Sequence, residues 1–455
     1  MSSQMFSPEL LAKYNVSGPR YTSYPTALEF NEKFTDADLV TAVNNSTTND
    51  LSLYIHIPFC HSLCYYCGCN KIVTRHRDKA DEYLNYLFKE IDSRAELFKD
   101  HQVKQLHWGG GTPTFLTKSQ ISRLVNKLKS SFHFTDSAEL GIEVDPREIE
   151  LDLVDHLYAE GFNRLSIGVQ DVDTKVQKAI NREQSTEFVT DLIHHAKAVG
   201  FNSVNIDLIY GLPHQSPETF ANTIAAVKIM DPDRISLFSY AHMPSRFAAQ
   251  RKIRDEWMPN ADQKFAIMQY AIESLIDLGY DFIGMDHFAK PSDELSIAQK
   301  AGKLHRNFQG YTTLGDCDLL AMGVSSISAI GQSFSQNSKT LKEYYQAVDE
   351  QGHALEKGIV TTKDDVIRAT VIKELMCNFS LSKQLIEQQF DINFNEYFAE
   401  DLQSLDTFIN DDLLTNSAEE IVVAEKGRLL IRNICMSFDA YLKSKIHQQR
   451  FSRVI

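Results

Sequence analysis

The sequence is short of basic charge: 46 Lys and Arg stand against 61 Asp and Glu, a formal net charge of -15. Without a broad basic surface to offset phosphate repulsion, nucleic acid and anionic membrane surfaces are not expected as partners. An anionic small molecule needs only a local basic pocket and stays open. Long apolar runs are missing as well, since no stretch approaches the roughly 18 residues of a membrane span. The first thirty residues scatter charges and turn formers from Pro8 to Arg20, where a secretory leader needs a continuous apolar core, so a cytoplasmic location is expected. Cysteine is scarce and odd in number, at seven. Four of those cysteines, Cys60, Cys64, Cys67 and Cys69, crowd into ten residues, too tight for a disulfide framework. In a reducing compartment that crowding reads as metal binding. No repeat of fixed period and no low-complexity tract is present.

What is there is ample core. With 455 residues, 43% of them apolar, the chain exceeds one ordinary domain, and one large catalytic unit with a smaller appendage is expected. Short β-branched, alternating runs each end in a polar or glycine-rich signature. LSLYIHI runs into Pro58 and the cysteine loop, and VKQLHW into Gly109-Gly110-Gly111-Thr112. LGIEV ends at Asp145-Pro146, RLSIGV at Gln170-Asp171, SVNIDLIY at Gly211-Leu212-Pro213 and RISLFSY near Ala241-His242. Helical patterns at 79–97, 119–130, 151–160, 187–199 and 217–229 separate them. Such alternation predicts an α/β chain with a parallel sheet, here a partial (β/α)6 TIM-like barrel whose chemistry sits at the C-terminal strand ends. The expected organisation is an N-terminal arm over the active site (1–35), a catalytic domain (36–344) and a mainly helical C-terminal domain (345–455).

Cys60-x3-Cys64-x2-Cys67 places three thiolates on one loop, enough to hold three irons of a 4Fe-4S cubane and leave the fourth open to a small molecule. A structural zinc site completed by Cys69 or His61 is the bland alternative. The glycine triplet suits close approach of a ligand to the backbone, though alone it is just as well a tight turn.

The cysteine spacing, with Tyr66 just before the last cysteine, resembles the radical S-adenosylmethionine (SAM) superfamily. The longer strings GPRYTSYPTA, YIHIPFC, CYYCGCN, HWGGGTPT, GIEVDPRE, IDLIYGLP, FIGMDHFA, LHRNFQGYTT and RLLIRNICMSFD resemble, within it, the oxygen-independent coproporphyrinogen III oxidases over nearly the whole chain. The resemblance implies a 4Fe-4S cluster whose open iron is chelated by SAM, reductive cleavage of the sulfonium, and hydrogen abstraction from the β-carbon of a propionate. Two propionates of coproporphyrinogen III would become vinyl groups, giving protoporphyrinogen IX in anaerobic haem synthesis, with two SAM per turnover. It further implies a flavodoxin-like or ferredoxin-like electron donor and a monomer.

Residue by residue, the resemblance makes Cys60, Cys64 and Cys67 the cluster ligands and Cys69 a nearby non-ligand, accessory or simply packed. It places Tyr54, Gly110, Glu143 and Ile327 around the cluster-bound SAM. Tyr66, Gly111, Thr112, Gln170, Arg182, Asp207 and Ala241 would contact a second SAM. Without the resemblance, Arg182 and Asp207 read equally well as an ion pair at a barrel rim. Arg20, Lys71, Arg75, Arg306 and Arg432 are candidates to anchor the unreacted propionates. The arm with Arg20, Tyr21 and Tyr24 is expected to act as a lid. His56 and His287 read as hydrogen-bonded structural groups, and Cys317, Cys377 and Cys435 as small core residues. Two rival readings remain: a haem-passing chaperone, whose known examples lack a Cys69-type cysteine and this arm, and a haem-opening methyltransferase.

Overall fold

The computed structural model describes residues 8–444. The first seven residues of the expected arm and the last eleven of the C-terminal portion lie outside the described residues. Two compact units are interleaved along the chain. One comprises residues up to Glu29, Met268–Gly315 and those from Thr361 onward; the other comprises Phe30–Ile267 and Asp316–Val360.

The strands, numbered in chain order, begin in the second unit with β1 (Asp50–Ile57), β2 (Phe59–Cys60), β3 (Ile72–Val73), β4 (Gln102–Gly110), β5 (His133–Val144), β6 (Arg164–Gln170), β7 (Ser203–Tyr210) and β8 (Arg234–Ser239). Strands β1, β4, β5, β6, β7 and β8 pair in parallel in that order, the six expected strands. The expected helices form between them, packing as successive neighbours: Asp78–Ala95 on Lys118–Ser131, Leu151–Ala159 on Thr186–Val199, and Thr186–Val199 on Pro217–Met230. Their N-termini are chemically marked, with Thr117 and Ser216 closing capping boxes and Ser185 accepting from the Phe188 amide.

Alternation assigns the faces. Leu53, Ile55, Leu106, Trp108, Ile142, Ile167, Ile206 and Leu237 are almost wholly buried on one side, each burying about 1.5–3 kcal/mol of apolar side chain or more. The residues between them face the other way and are polar or small. Across that face Ser52 donates to Gln105 (3.0 Å), Gln105 to Glu139 (3.3 Å), and Arg164 pairs with Glu139 (3.1 Å). A row above, Asn205 donates to Ser166 and to Asp207 (both 2.9 Å). Polar groups so enclosed must satisfy one another, and here they do so in layers.

The strand pattern continues beyond the six units. In the other unit lie the antiparallel hairpins β9 (Asp281–Gly284) with β10 (His287–Ala289) and β11 (His305–Asn307) with β12 (Gly310–Thr312). The chain then returns to the parallel sheet: β13 (Asp318–Met322) lies parallel to β1 on the side away from β4. Strands β14 (Ile327–Ile330), β15 (Ser333–Asn337) and β16 (Leu355–Val360) follow antiparallel. Among the described residues no ladder joins β8 back to β1, so the barrel is partial. The helix Leu341–Gln351 and β16 stay with this sheet, and the expected boundary at 344 falls inside that helix.

The first unit joins the helices Lys363–Asn378 and Ile431–Met436 to a three-stranded sheet of β17 (Ser380–Ser382), β18 (Leu414–Asn416) and β19 (Glu420–Val423), ordered β17-β19-β18. The arm belongs to it. Tyr14 donates to Asp411 (2.5 Å) and Tyr21 to Asp439 (2.9 Å), while Arg432 donates to the carbonyls of Gly18 and Pro19.

Candidate active site

The cysteine loop leaves β1 through Pro58 and is closed by β2 and β3, which pair in parallel, with the Ile72 amide donating to Pro58 O (2.7 Å) and Thr74 to Cys60 O (2.9 Å). Beside it, the end of β4 needs its glycines. A Cβ on Gly111 would lie 2.7 Å from the Pro58 carbonyl and 2.8 Å from that of Phe59, and one on Gly110, at φ +115°, would strike the His56 ring at 2.5 Å. Only hydrogens fit in this cradle. The amides of Gly111 and Thr112 donate to the carbonyls of Ile57 and Phe59 (2.8 Å each), locking the two strand ends together.

All seven cysteines are free thiols. Each of the three in the motif has a donor beside it: Thr112 donates to Cys60 Sγ (3.4 Å), and Arg147 (3.3 Å) and Arg182 (3.5 Å) to Cys64 Sγ. The Cys69 thiol hydrogen-bonds to Cys67, holding the Cys67 thiol below its ordinary range with help from Lys71, and its own thiol is pushed up in turn. Burial pushes Cys60 up to about 11. Among the described residues no three His, Cys, Asp or Glu side chains converge as ligands of a single ion. A cubane asks for a different arrangement, each thiolate on its own iron. Three thiols on one loop, a donor to each sulfur and a glycine cradle alongside fit such a group.

The expected SAM residues gather here in two sets. Glu143 accepts from the Gly110 amide (3.2 Å), and a Cβ on Gly109 would touch both Glu143 and Tyr54. Tyr54 pairs with His107 across β1 and β4, and its hydroxyl meets His56 Nδ1 (3.2 Å). Ile327 opens β14, one strand beyond the β13 that flanks β1. In the second set, Gln250 donates to the carbonyls of Tyr66 (2.9 Å) and Ala241 (3.2 Å), tying the cysteine loop to the end of β8. Arg182 donates to Gly168 O (2.7 Å) and pairs with Asp145 (3.2 Å); its Nε is buried without a partner. Asp207 lies opposite Gly168, and burial with the nearby Glu143 pushes its carboxyl up to about 7. Gln170 ends β6 at φ +66°, a left-handed conformation that a non-glycine residue adopts only under local constraint.

His56 is buried and hydrogen-bonded, its Nε2 on Asn70 O (3.2 Å) and burial lowering its pKa. His287 pairs with Asp286 (2.8 Å). Of the candidate anchors, Lys71 donates to Cys67 O (3.1 Å) and Arg75 is exposed. Arg20, Arg306 and Arg432 gather in the first unit: Arg20 on Asp286, Arg306 on the Arg20 carbonyl (2.5 Å). Cys377 and Cys435 are buried, whereas Cys317 is half-buried. Sequence reasoning passed over Arg147, although Asp-Pro-Arg at a strand end was the available signal, and Glu90, a carboxylate buried inside a helix with a surface-like pattern.

Comparison with known proteins agrees with this architecture. Residues 54–227 match the model of the Radical SAM superfamily, and residues 361–430 that of the HemN C-terminal domain. The oxygen-independent coproporphyrinogen III oxidase of Salmonella typhimurium is 62% identical over 98% of both chains, and its namesake in Helicobacter pylori 39% identical over 98% of this chain and 99% of its own. The solved structure of coproporphyrinogen III oxidase (HemN) from Escherichia coli, described as a radical SAM enzyme, superposes with a TM-score of 0.94 at 58% identity, covering 97% of this chain and all of that one. On identity, coverage and fold alike, this chain belongs to the oxygen-independent coproporphyrinogen III oxidase family.

Proposed function

We propose that this chain oxidatively decarboxylates two propionate side chains of coproporphyrinogen III to vinyl groups, yielding protoporphyrinogen IX in anaerobic haem synthesis. The observation that carries the reading is likeness along the whole chain, sheet and C-terminal portion alike, to enzymes named for this substrate. Cys60, Cys64 and Cys67 would hold the 4Fe-4S cluster, which, with SAM bound, supplies one-electron chemistry for hydrogen abstraction. Tyr54, Gly110, Glu143 and Ile327 would bind the cluster-side SAM; Tyr66, Gly111, Thr112, Gln170, Arg182, Asp207 and Ala241 a second one. Arg182, held by Asp145 and Gly168, would supply fixed positive charge toward the carboxylate of the second SAM. Cys69 acts on the loop through Cys67 rather than as a ligand. Neither hydrogen abstraction nor loss of carbon dioxide needs a general base of raised pKa.

The division into arm (1–35), catalytic portion (36–344) and C-terminal portion (345–455) belongs to the same proposal, as do a monomeric state, a flavodoxin-like or ferredoxin-like reductant and a cytoplasmic site of action. No helix among the described residues is long and apolar enough to cross a membrane. The test is anaerobic: cluster-loaded protein, a reductant, SAM and coproporphyrinogen III, with products followed by chromatography. Two equivalents of 5'-deoxyadenosine per protoporphyrinogen, both lost in Cys64→Ser, are expected. Tight haem binding without decarboxylation would favour the chaperone reading instead, and haem opening the methyltransferase one.

A further inference from the structure

We propose that Arg147 sets the reduction potential of the cluster through Cys64, as a positioning residue balanced against Asp145. This rests on the reading that Cys60, Cys64 and Cys67 hold the cluster.

The three cysteine sulfurs are not treated alike. Cys60 receives a neutral hydroxyl, that of Thr112 (3.4 Å). Cys64 receives two guanidinium groups, Arg147 Nη2 at 3.3 Å and Arg182 Nη1 at 3.5 Å. One carboxylate, Asp145, lies between those cations, pairing with Arg147 at 2.6 Å and with Arg182 at 3.2 Å. Two positive charges and one negative leave a surplus of one positive charge against a single sulfur.

The orientation of Arg147 is dictated locally. Asp145 caps the turn Pro146–Glu148 by accepting from the Arg147 amide (3.2 Å), so the Arg147 side chain folds back over its own turn. There Nε donates to Asp145 Oδ1 (2.9 Å) and Nη2 to Oδ2 (2.6 Å), a fork matched to a carboxylate, while Nη1 donates to Asn181 O (3.2 Å). With its side chain 11% exposed, the guanidinium has one place to be, and Nη2 points at Cys64. Hydrogen bonds and positive charge at a thiolate ligand favour the more negative, reduced cluster and so raise its potential.

A merely structural role also has a basis, because Arg147 ties Asn181 to the cysteine loop, and Asn181 in turn donates to Leu63 O (2.8 Å). The two roles differ in what they move. A clamp alters how much cluster is retained; an electrostatic partner alters its midpoint at full occupancy.

The experiment uses the full chain, loaded with iron and sulfide under anaerobic conditions, each sample normalised by iron analysis. A redox titration followed by electron paramagnetic resonance, without SAM or substrate, gives the midpoint. Arg147→Gln should shift it to more negative values and Arg147→Lys should restore part of that shift. Asp145→Asn, which keeps a side-chain oxygen for the cap but removes the countercharge, should shift it the opposite way. Coincident midpoints for wild type and Arg147→Gln at equal iron content would overturn the proposal. So would an Asp145→Asn midpoint displaced in the negative direction, a result that holds even where Arg147→Gln loads poorly. Wild-type protein that takes up no four-iron cluster would remove the underlying reading and this assignment together, and iron analysis alone distinguishes that case.

Discussion

Gly168 illustrates how single residues shape this site. It carries no motif that sequence inspection would single out, yet a Cβ there would lie 2.6 Å from Arg182 Nη2 and 2.8 Å from Gln170 Nε2. Gly168→Ala should therefore push Arg182 off the Gly168 carbonyl and weaken SAM binding roughly tenfold, about 1.4 kcal/mol, with the fold kept; equilibrium dialysis with SAM against circular dichroism checks both halves. Asp207 yields a pH prediction. Its carboxyl, 3.8 when unperturbed, is pushed by burial to about 7 in the folded chain. Between about pH 4 and 7 the folded chain keeps a proton that the unfolded chain has released, so this group's contribution to stability falls as pH rises across that window and is level above it. Urea unfolding of the protein before cluster loading should show wild type losing ground to Asp207→Asn by up to about 1.4 kcal/mol per pH unit over that range, and running parallel beyond it. The cysteine loop was legible because the spacing of Cys60, Cys64 and Cys67 stands out in the sequence itself. Arg147 and Gly168 were not, because their contacts exist only once strand ends distant in sequence lie side by side.

Elements tell the same story at larger size. The six parallel strands were readable from alternation and from the signatures at their ends. The N-terminal half of β5, HFTDSAE, is largely polar and has a single buried residue, so it gave no strand signal; β13, DLLAM, is buried throughout and showed no alternation to read. The helix Thr174–Ala179 is too short for a period to declare itself. Behind these strands, Glu90 is a buried hub, accepting from the Gly323 amide (2.8 Å), Asn337 Nδ2 (2.6 Å) and Tyr344 OH (2.6 Å). It thereby holds the turn that leads from β13 to Ile327. Glu90→Gln replaces an acceptor with a donor facing donors, and should destabilise the protein by about 2–4 kcal/mol, read as a lower midpoint in chemical unfolding. The arm is similarly anchored: Arg432, 6% exposed, satisfies two of its carbonyls. Arg432→Ala should cost about 3 kcal/mol or more and expose the segment before Phe30 to limited proteolysis. Deleting residues 1–30 tests the lid role with product formation as its readout, and such a deletion also strips partners from Asp411 and Asp439.

For the whole molecule, the net charge of -15 sets how other proteins approach. An electron carrier that is itself acidic meets repulsion beyond any local contact, so its rate of reducing the cluster should rise with ionic strength between about 10 and 150 mM as the Debye length contracts from roughly 30 to 8 Å. Stopped-flow reduction across a salt series measures this, and a falling rate would mean that a local basic patch dominates. Composition foretold the sign of that field, but not the interleaving of two units whose segments alternate along the chain. That interleaving bears on biogenesis. The strand carrying the cysteine loop has β4 on one side and, on the other, β13, which is made only after the whole of Met268–Gly315 has been synthesised into the other unit. On the ribosome, β1 therefore waits as an open edge, and the sheet that carries the cysteine loop gains its last neighbour on that side only late in translation.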